Sequence, residues 1–356
     1  MSDVSVDLIV LGLGPAGASA ACVAAQAGKS VLAFDRKREA GMPVQCAEFV
    51  PSMIGVEVSI LAEASIQTIT EMLTYVEDEC AELTPNFPGK MIDRAAFDAA
   101  LVDAAIKAGA DCRFGVKANE VSSDGVVKLS TGERVRAKTI IGADGVRSSV
   151  GAAMGSVNDK IVETRQLTAP LKAAHEATDI YLSSDIPGGY GWLFPKGDVA
   201  NIGLGVDAAY KDMLKPELEA LHARLVDEGR VGEEALCYTG GPIPVGGLIR
   251  AHGKLGETLA LLAGDAAGLA NPVTGAGITS AVISGKLSGE AAVAHLAGDR
   301  QAGADYMEEL EDLFAPALNR ALSHREILLD TYQTNGAMTP AEMKKGWIAY
   351  PDYWAA

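Results

Sequence analysis

A glycine-rich segment near the start of the chain limits the possible folds more than any other feature of the sequence. Gly12, Gly14 and Gly17 have the spacing G-x-G-x-x-G, and the apolar residues 6–10 come directly before them. The segment after them is rich in alanine and has the composition of a helix. Such glycines permit a tight turn, let the backbone approach a pyrophosphate and allow close helix–strand packing. We therefore predict a strand, a turn and a helix whose amino end faces phosphate.

An acidic residue follows at the distance that this arrangement requires. Gly28 is expected to end the first helix, residues 31–34 form a second strand, and Asp35 stands 18 residues beyond Gly17. In a Rossmann unit, an acid about 20 residues after the glycines accepts hydrogen bonds from a ribose hydroxyl. Arg36 follows this acid directly. The complete order of strand, turn, helix, strand and acid predicts an adenine-dinucleotide site.

Two later segments repeat the pattern of a strand that ends in glycine and an acid. GADGVRSSV contains Asp144 and Gly145, and LLAGDAAGLANPVTGAGI contains Gly264 and Asp265. Each acid alone is equally well explained by a surface turn. Three such strand ends together suit FAD better than NAD, because FAD needs polar partners for its ribityl chain and an apolar cleft for its ring. The residues expected to bind this cofactor also include Pro15, Ala16, Pro272, Gly275, Ala276 and Gly277.

Composition excludes several classes of function. The 356 residues carry a formal net charge of −17, which argues against nucleic acid and against electrostatic attachment to anionic lipid. No apolar run reaches the ~18 residues of a membrane span, and the amino terminus lacks the basic region of a signal peptide. Five scattered cysteines without C-x-x-C and five histidines without ligand spacing do not support disulfides or a metal site. We expect a cytoplasmic protein without a metal ion.

Hydrophobic periodicity predicts the main elements between these motifs. An alternating strand is expected over residues 68–76, an amphipathic helix from residue 91 to Gly109, and a helix over residues 215–228. Residues 36–53 are expected to form a loop, and residues from 304 onward a helical tail. The turn-rich segment 162–247 is typical of antiparallel strands.

The predicted fold class is α/β with an α+β insert. Residues 1–65, 88–155 and 250–300 are assigned to a Rossmann-like FAD-binding domain. Residues 66–87 and 156–249 are assigned to an inserted antiparallel-sheet domain that binds the substrate. Residues 301–356 are assigned to a short C-terminal helical cap.

The three glycine-and-acid motifs together resemble those of FAD-dependent oxidoreductases with the p-hydroxybenzoate hydroxylase fold, over nearly the full chain. The resemblance implies that the first motif and Asp35 bind the ADP half of FAD. It places Asp144 near the flavin pyrophosphate and Asp265 at the ribityl chain. Arg94, in the segment DRAAFD, is similar to the family arginine near the pyrophosphate, although an exposed helix charge is the alternative.

One segment narrows the resemblance to a branch of that superfamily. GYGWLFPKGDVANIGLG fits a Y-x-W-x-F-P motif followed by G-x-G, which is similar to the geranylgeranyl reductase family. In that family the aromatic residues line a tunnel for a polyisoprenoid chain, a substrate that offers apolar and π surface alone. An ordinary aromatic strand in a sheet core is the alternative. The residues that the motif assigns to the substrate are Tyr190, Trp192, Phe194, Pro195, Gly203 and Gly205.

Cys46 is the candidate catalytic residue. The segment PVQCAEFVP resembles the P-V-x-C loop of the same family, in which the cysteine lies close to the flavin. A thiol there would supply the proton when hydride from reduced FAD adds to the other carbon of a C=C bond. A buried cysteine that acts as a small apolar side chain is the alternative.

The resemblance implies an FAD-dependent oxidoreductase that reduces C=C bonds of a prenyl chain. A flavin monooxygenase of the same fold, hydroxylating an aromatic small molecule or a protein tryptophan, is the first alternative, and a flavoprotein electron carrier is the second. The electron donor is expected to be NAD(P)H or ferredoxin. The expected substrate is a hydrophobic prenyl-type or aromatic small molecule, and a peripheral contact with the inner face of the membrane is left open.

Overall fold

A computed structural model of the chain describes residues 3–51 and 62–355. The strands in chain order are β1 (Asp3–Leu11), β2 (Val31–Asp35), β3 (Phe49–Pro51), β4 (Ser65–Ile69), β5 (Glu71–Val76), β6 (Glu82–Thr84), β7 (Gly89–Ile92), β8 (Asp111–Phe114), β9 (Ala118–Val121), β10 (Val126–Leu129), β11 (Arg134–Gly142), β12 (Ile161–Pro170), β13 (Ala177–Leu182), β14 (Gly191–Lys196), β15 (Val199–Asp207), β16 (Cys237–Thr239), β17 (Pro242–Pro244), β18 (His252–Leu255) and β19 (Thr258–Leu262). The helices are α1 (Pro15–Gln26), α2 (Arg94–Ala108), α3 (Ser149–Met154), α4 (Leu214–Asp227), α5 (Ile278–Leu296), α6 (Ala302–Asn335), α7 (Pro340–Lys345) and α8 (Pro351–Trp354), with 3₁₀ turns at Ala208–Met213 and Gly264–Ala267.

The first sheet brings the three glycine-and-acid motifs to one edge. Its parallel centre has the order β19-β11-β1-β2-β8. Leu11 pairs with both Phe34 and Gly142, and Gly142 pairs with Leu262, so four strands end in one row. Because ligands of open α/β sheets bind beyond the carboxyl ends of the strands, this row is where a site is expected. The predicted Rossmann-like fold class is confirmed by this topology.

Helix α1 lies against the sheet between α2 and α5. The alanines on α1 are buried, and α5 approaches them closely through its own small residues. A Cβ on Gly285 would lie 2.2 Å from the carbonyl oxygen of Ala16, and one on Gly289 would lie 2.8 Å from that of Ala20. The small residues of α5 therefore allow backbone-to-backbone packing of the two helices.

The second sheet has the order β16-β12-β15-β14-β13-β5-β6, with β17 beside β12. It is antiparallel except for the parallel pair β5–β13. One face packs on α4, and the other carries an aromatic cluster that the C-terminal segment covers. A small sheet, β3-β7-β4, contacts β14 of the second sheet through β4 and β7.

Three predicted elements differ from the structure. The alternating segment 68–76 is not one strand: it divides at Thr70 into β4, which pairs with β7, and β5, which joins the second sheet. Residues 91–92 belong to β7, and α2 begins at Arg94 because Asp93 caps it by accepting a hydrogen bond from the N–H of Ala96 at 2.9 Å. The predicted loop 36–53 contains β3, and its residues 52–53 lie outside the described part of the chain.

Other predicted elements are confirmed. Helix α1 ends at Gln26 just before Gly28, α2 ends at Gly109 with a positive φ of 107°, and α4 matches the predicted helix to within one residue at each end. The C-terminal tail is helical from Ala302. Among the described residues, no helix is both long enough and apolar enough to cross a membrane.

Candidate active site

A cavity of about 940 Å³ extends from the strand ends of the first sheet to the aromatic face of the second. Most of the residues assigned from the sequence lie on its wall. These are Gly12, Gly14, Pro15, Ala16, Asp35, Arg36, Cys46, Arg94, Asp144, Gly145, Tyr190, Trp192, Phe194, Gly205, Gly264, Asp265, Pro272, Gly275, Ala276 and Gly277. Three of the assigned residues, Gly17, Pro195 and Gly203, are not among the lining residues.

The first glycine turn combines tight packing with open space. Gly12 has φ +93°, and a Cβ there would lie 2.2 Å from the carbonyl oxygen of Ala143. A Cβ on Gly17 would lie 1.9 Å from the carbonyl oxygen of Gly12. Gly17 is therefore required for the close packing of the turn, although it does not line the cavity. A Cβ on Gly14 would meet nothing within 4 Å, and Gly14 begins α1 without a capping side chain. The space above Gly14 and the first-turn N–H groups suit a pyrophosphate.

Asp35 fixes the backbone around this turn. Its Oδ2 accepts a hydrogen bond from the N–H of Leu13 and its Oδ1 one from the N–H of Lys37, both at 2.8 Å. The carboxylate thus joins the end of β2 to the glycine turn after β1. In the structure, the hydrogen-bond donors to Asp35 are backbone N–H groups of the protein. Its contact with a ribose hydroxyl therefore stays a prediction.

Asp144 holds the second motif in shape. Its Oδ1 accepts a hydrogen bond from the hydroxyl of Ser148 at 2.5 Å, and its Oδ2 accepts one from the N–H of Ser149 at 2.7 Å. Burial raises the pKa of Asp144, against the lowering effect of these donors. The carboxylate reinforces the amino end of α3, while the adjoining Gly145, with φ +83°, keeps the wall open.

Asp265 differs from the other two acids. Its carboxylate accepts no hydrogen bond from the residues that the structure describes, although it lies on the cavity wall. Burial raises its pKa, and the nearby Arg94 guanidinium acts in the opposite direction. A Cβ on Gly277 would lie 3.3 Å from Oδ1 of Asp265. A half-buried carboxylate on the cavity wall that accepts no hydrogen bond from the described residues is suited to the hydroxyl groups of a bound molecule.

The loop after Asp265 is shaped by a residue that the sequence did not single out. Oδ1 of Asn271 accepts hydrogen bonds from the N–H groups of Val273 and Thr274, both at 3.0 Å. Its carbonyl oxygen accepts one from Gly275 at 2.9 Å. Helix α5 then begins after Gly277 without a capping side chain. The amino ends of α1 and α5 are therefore both left to an anion or a polar ring edge.

An aromatic wall continues the cavity along β14. Tyr190, Trp192 and Phe194 alternate along the chain and so lie on one face of the sheet. The ring centroids of Tyr190 and Trp192 are 5.7 Å apart, and those of Trp192 and Phe194 are 6.1 Å apart. Three more aromatic residues extend this wall from other parts of the chain: Phe49, Phe87 and Trp347.

The G-x-G that follows the aromatic motif has a packing role. Gly203 lies opposite Trp192 on the neighbouring strand, and a Cβ there would lie 2.4 Å from Cζ2 of the indole. Gly205 lines the cavity and is covered from behind by Val162, 2.8 Å from the position of an added Cβ. Packing against the indole of Trp192 therefore explains why position 203 is a glycine.

The Cys46 loop lies on the wall of the same cavity. Its Sγ accepts a hydrogen bond from the N–H of Glu48 at 3.2 Å, and its carbonyl oxygen accepts one from Nε2 of Gln166 at 3.2 Å. Burial tends to lower the pKa of Arg94, but Asp98 and Cys46 outweigh it, so that the pKa is raised. Nε of Arg94 donates to Asp98 at 2.7 Å. Arg94 is thus held between the loop and Asp98, and is not a free surface charge.

Glu48 anchors the Cys46 loop on two sides. Its side chain is almost fully buried. Oε1 accepts a hydrogen bond from the N–H of Arg94 at 3.0 Å, and Oε2 accepts from Nζ of Lys196 at 2.7 Å and from Nδ2 of Asn201 at 3.0 Å. These contacts join the loop to α2 and to the second sheet. Neither Glu48 nor Gln166 was assigned a role from sequence, because their partners lie far away in the chain.

The residues that line the cavity fit FAD. It has two uncapped helix amino ends, a glycine turn with open space above Gly14, and a half-buried carboxylate at Asp265 that accepts no hydrogen bond from the described residues. Its aromatic half adjoins these polar groups and provides apolar surface for a flat ring. Together these features define the class of protein as an FAD-dependent oxidoreductase.

Comparisons with known proteins agree with this class. The sequence model of the FAD binding domain matches residues 5–183, and that of the geranylgeranyl reductase catalytic domain matches residues 159–235. The chain is 32% identical over 338 residues to digeranylgeranylglycerophospholipid reductase of Methanosarcina acetivorans, covering 89% of this chain and 81% of the relative. It is also 32% identical to digeranylgeranylglycerophospholipid reductase 2 of Methanopyrus kandleri, covering 90% and 86% of the two chains.

A solved structure shows the same fold over the whole chain. The crystal structure of a geranylgeranyl bacteriochlorophyll reductase-like protein from Thermoplasma acidophilum has a TM-score of 0.82 at 25% identity, covering 99% of this chain and 98% of that one. The chain belongs to the geranylgeranyl reductase family of FAD-dependent oxidoreductases, which reduce C=C bonds of prenyl chains. The family expected from the motifs is confirmed. The crystal structure of PqsL, described as a probable FAD-dependent monooxygenase from Pseudomonas aeruginosa, shares the fold with a TM-score of 0.70 at 18% identity.

Proposed function

We propose that the chain saturates the double bonds of geranylgeranyl chains carried by a glycerophospholipid. The observation that carries the proposal is the single cavity whose wall contains the glycine-and-acid strand ends, the aromatic residues of β14 and the Cys46 loop. A substrate bound along the aromatic wall would therefore be in the same space as the cofactor. The names of the curated relatives supply the lipid class.

The part of the aromatic wall formed by Tyr190 and Trp192 suits an apolar chain because the polar atoms of both rings already have partners. The hydroxyl of Tyr190 donates to the carbonyl oxygen of Thr274 at 2.7 Å. The indole N–H of Trp192 donates to Oε1 of Gln166 at 2.9 Å. These two rings thus present π surface without an unpaired donor, whereas the buried indole N–H of Trp347 has no partner among the described residues. A prenyl chain gains contact area on these two rings without leaving a buried polar group unsatisfied.

Gly14, Asp265 and the amino ends of α1 and α5 would hold FAD. Bound FAD in its reduced state supplies the hydride that reduces a C=C bond. We propose that Cys46 supplies the proton to the other carbon, because its thiol lies on the cavity wall beside Glu48 and Arg94. The electron donor is proposed to be NAD(P)H or a reduced ferredoxin. Since the lipid lies in a bilayer, the proposal includes a peripheral contact with the cytoplasmic face of a membrane.

The test is anaerobic turnover of the purified, FAD-loaded protein with dithionite as reductant. Geranylgeranyl glycerophospholipid in detergent should gain mass in steps of two hydrogens. Dithionite removes the dependence on the natural donor, and the absence of oxygen removes any monooxygenase reaction. The absence of a mass gain, or a product formed only with oxygen, would contradict the proposal.

A further inference from the structure

We infer that Gln166 is a positioning residue that holds the Cys46 loop in a fixed place relative to Trp192. The inference rests on the proposed function in one respect: Cys46 and Trp192 are taken to act on the same substrate. Neither the motifs nor the named relatives assign a role to Gln166.

The second sheet places the two side chains in one row. Gln166 on β12 pairs with Gly203 on β15, and Gly203 pairs with Trp192 on β14. Because Gly203 has no side chain, the indole and the amide meet above it, with Nε1 of Trp192 2.9 Å from Oε1 of Gln166. Gln166 is 4% exposed and Trp192 6% exposed. The absence of a side chain at Gly203 therefore permits this contact between β12 and β14, which are not adjacent in the sheet.

The chemistry of the indole fixes the orientation of the amide. An indole N–H is a donor only, so it must face the oxygen of Gln166. Nε2 then points away and donates to the carbonyl oxygen of Cys46 at 3.2 Å, and a backbone carbonyl is an acceptor only. A glutamine amide offers the required acceptor and donor at one place without a charge. The contact joins residues 120 positions apart in the chain.

The consequence is a rigid link between the aromatic wall and the backbone of the thiol residue. Glu48 holds the loop two residues later through Lys196 and Asn201, and its N–H donates to Sγ of Cys46, whereas Gln166 bonds to the backbone carbonyl of Cys46. A proton donor must lie within hydrogen-bond reach of the atom that it serves, and a misplacement of about 1 Å can reduce the rate about 100-fold. Gln166 thus acts on the reaction through the position of Cys46.

The first test uses Gln166→Leu, which has a similar size, no charge and no polar atom. In the FAD-loaded protein without lipid, alkylation of Cys46 by iodoacetamide, followed by peptide mass spectrometry, should be about two- to tenfold faster, as expected for the loss of one hydrogen bond. In turnover, kcat should fall about 10- to 100-fold with little change in KM. Gln166→Asn, whose amide is too short to reach both partners, should show the same changes and replaces the leucine variant if that variant does not fold.

The second test uses the pH profile of Gln166→Glu. Its protonated carboxyl group can donate to the Cys46 carbonyl and accept from the indole, whereas its carboxylate cannot donate. Its kcat relative to wild type should therefore rise as the pH falls, a change that a purely structural role would not produce. A flat ratio across the pH range would contradict the inference.

Gln67 provides a matched control. Its Nε2 donates to the carbonyl oxygen of His175 at 2.6 Å and its Oε1 accepts from the N–H of Gly197 at 3.0 Å, and it does not line the cavity. Gln67→Leu should leave Cys46 alkylation and kcat unchanged. Equal alkylation in Gln166→Leu, Gln67→Leu and wild type would overturn the inference. If prenyl reduction is absent from every protein while the alkylation rates differ, the positioning stands and the proposed function fails.

Discussion

The carboxylate of Asp265 lowers the stability of the protein when no cofactor is bound. Burial raises its pKa, and no described residue donates a hydrogen bond to its carboxylate. Asp265→Asn removes the charge but keeps the shape. We expect FAD affinity to fall about 10- to 100-fold, as for the loss of a hydrogen bond to a charged group, while the protein without FAD becomes more stable at neutral pH.

The sign of the pH dependence follows from the raised pKa. The folded protein without FAD binds the proton more tightly than the unfolded chain does. The stability that Asp265 contributes is therefore fully present below the unfolded pKa of 3.8 and is lost as pH rises through the higher folded pKa. The difference in Tm between Asp265→Asn and wild type should grow over that window and then stay constant. Thermal unfolding without FAD and flavin titration measure the two effects.

Asp144 is the control for this prediction because burial raises its pKa as well. Its carboxylate already accepts hydrogen bonds from Ser148 and Ser149. Asp144→Asn keeps only one acceptor oxygen where two hydrogen bonds are accepted, so one of them is lost, and the substitution should destabilise the protein without FAD by about 1–2 kcal/mol, the opposite sign. Equal effects of the two substitutions on stability would show that Asp265 is not an unpaired acid.

Some site residues were predictable from sequence and others were not, for a physical reason. Gly12, Gly14 and Asp265 belong to short motifs whose spacing reports a local turn at a strand end. Gln166 and Glu48 act through partners in other strands, and no local pattern records such a contact. Phe49, Phe87 and Trp347 likewise reach the aromatic wall from separate segments.

At the scale of elements, the contact between α1 and α5 sets the position of the glycine turn. A Cβ on Gly285 would lie 2.2 Å from the carbonyl oxygen of Ala16, which itself lines the cavity. Helix propensity alone predicts that Gly285→Ala stabilises by about 1 kcal/mol. We expect the steric clash to outweigh this gain, so that the free energy of unfolding falls by about 1–3 kcal/mol. FAD should also bind more weakly because α1 must move.

Thermal unfolding and flavin titration of Gly285→Ala measure both effects. Glu290→Ala, an exposed position on the same helix, is the control and should change stability by less than about 0.5 kcal/mol. A Gly285→Ala variant more stable than wild type would show that the helices separate without cost.

The division of residues 68–76 into two strands shows where periodicity stops being informative. β4 and β5 both alternate in burial, but the phase of the alternation changes at Thr70: Ile69 is buried in β4, and Met72, Thr74 and Val76 are buried in β5. Their separation depends on β7 and β13, which pair with them from later in the chain. The predicted start of α2 at residue 91 differs from the observed start at Arg94 for a related reason. Residues 91–92 are apolar enough for a helix as well as for the strand β7, to which they belong.

At the scale of the whole molecule, the two sheets form different parts of the wall of one cavity. The first supplies the polar strand ends, the second supplies the aromatic wall, and the Cys46 loop is bonded to elements that serve both. The C-terminal segment covers the aromatic face: Lys344 forms ion pairs with Glu79 and Glu82, and the ring of Trp347 lies tilted against that of Tyr190, with centroids 4.9 Å apart. The fold class was predictable because three local motifs converge, whereas this enclosure depends on contacts across the chain.

The net charge of the molecule would govern access to the proposed lipid substrate in a membrane. At −17, the protein is repelled by anionic vesicles, and the repulsion is long-ranged at 0.01 M salt, where the Debye length is about 30 Å, but short-ranged at 0.15 M, where it is about 8 Å. With substrate embedded in anionic vesicles, we expect KM to fall at least about threefold as salt rises between these values, with kcat unchanged. In vesicles of zwitterionic lipid KM should not change. Because electrostatic docking through a basic patch would instead weaken with salt, a KM that rises with ionic strength would show that local charge, and not net charge, governs access to the membrane.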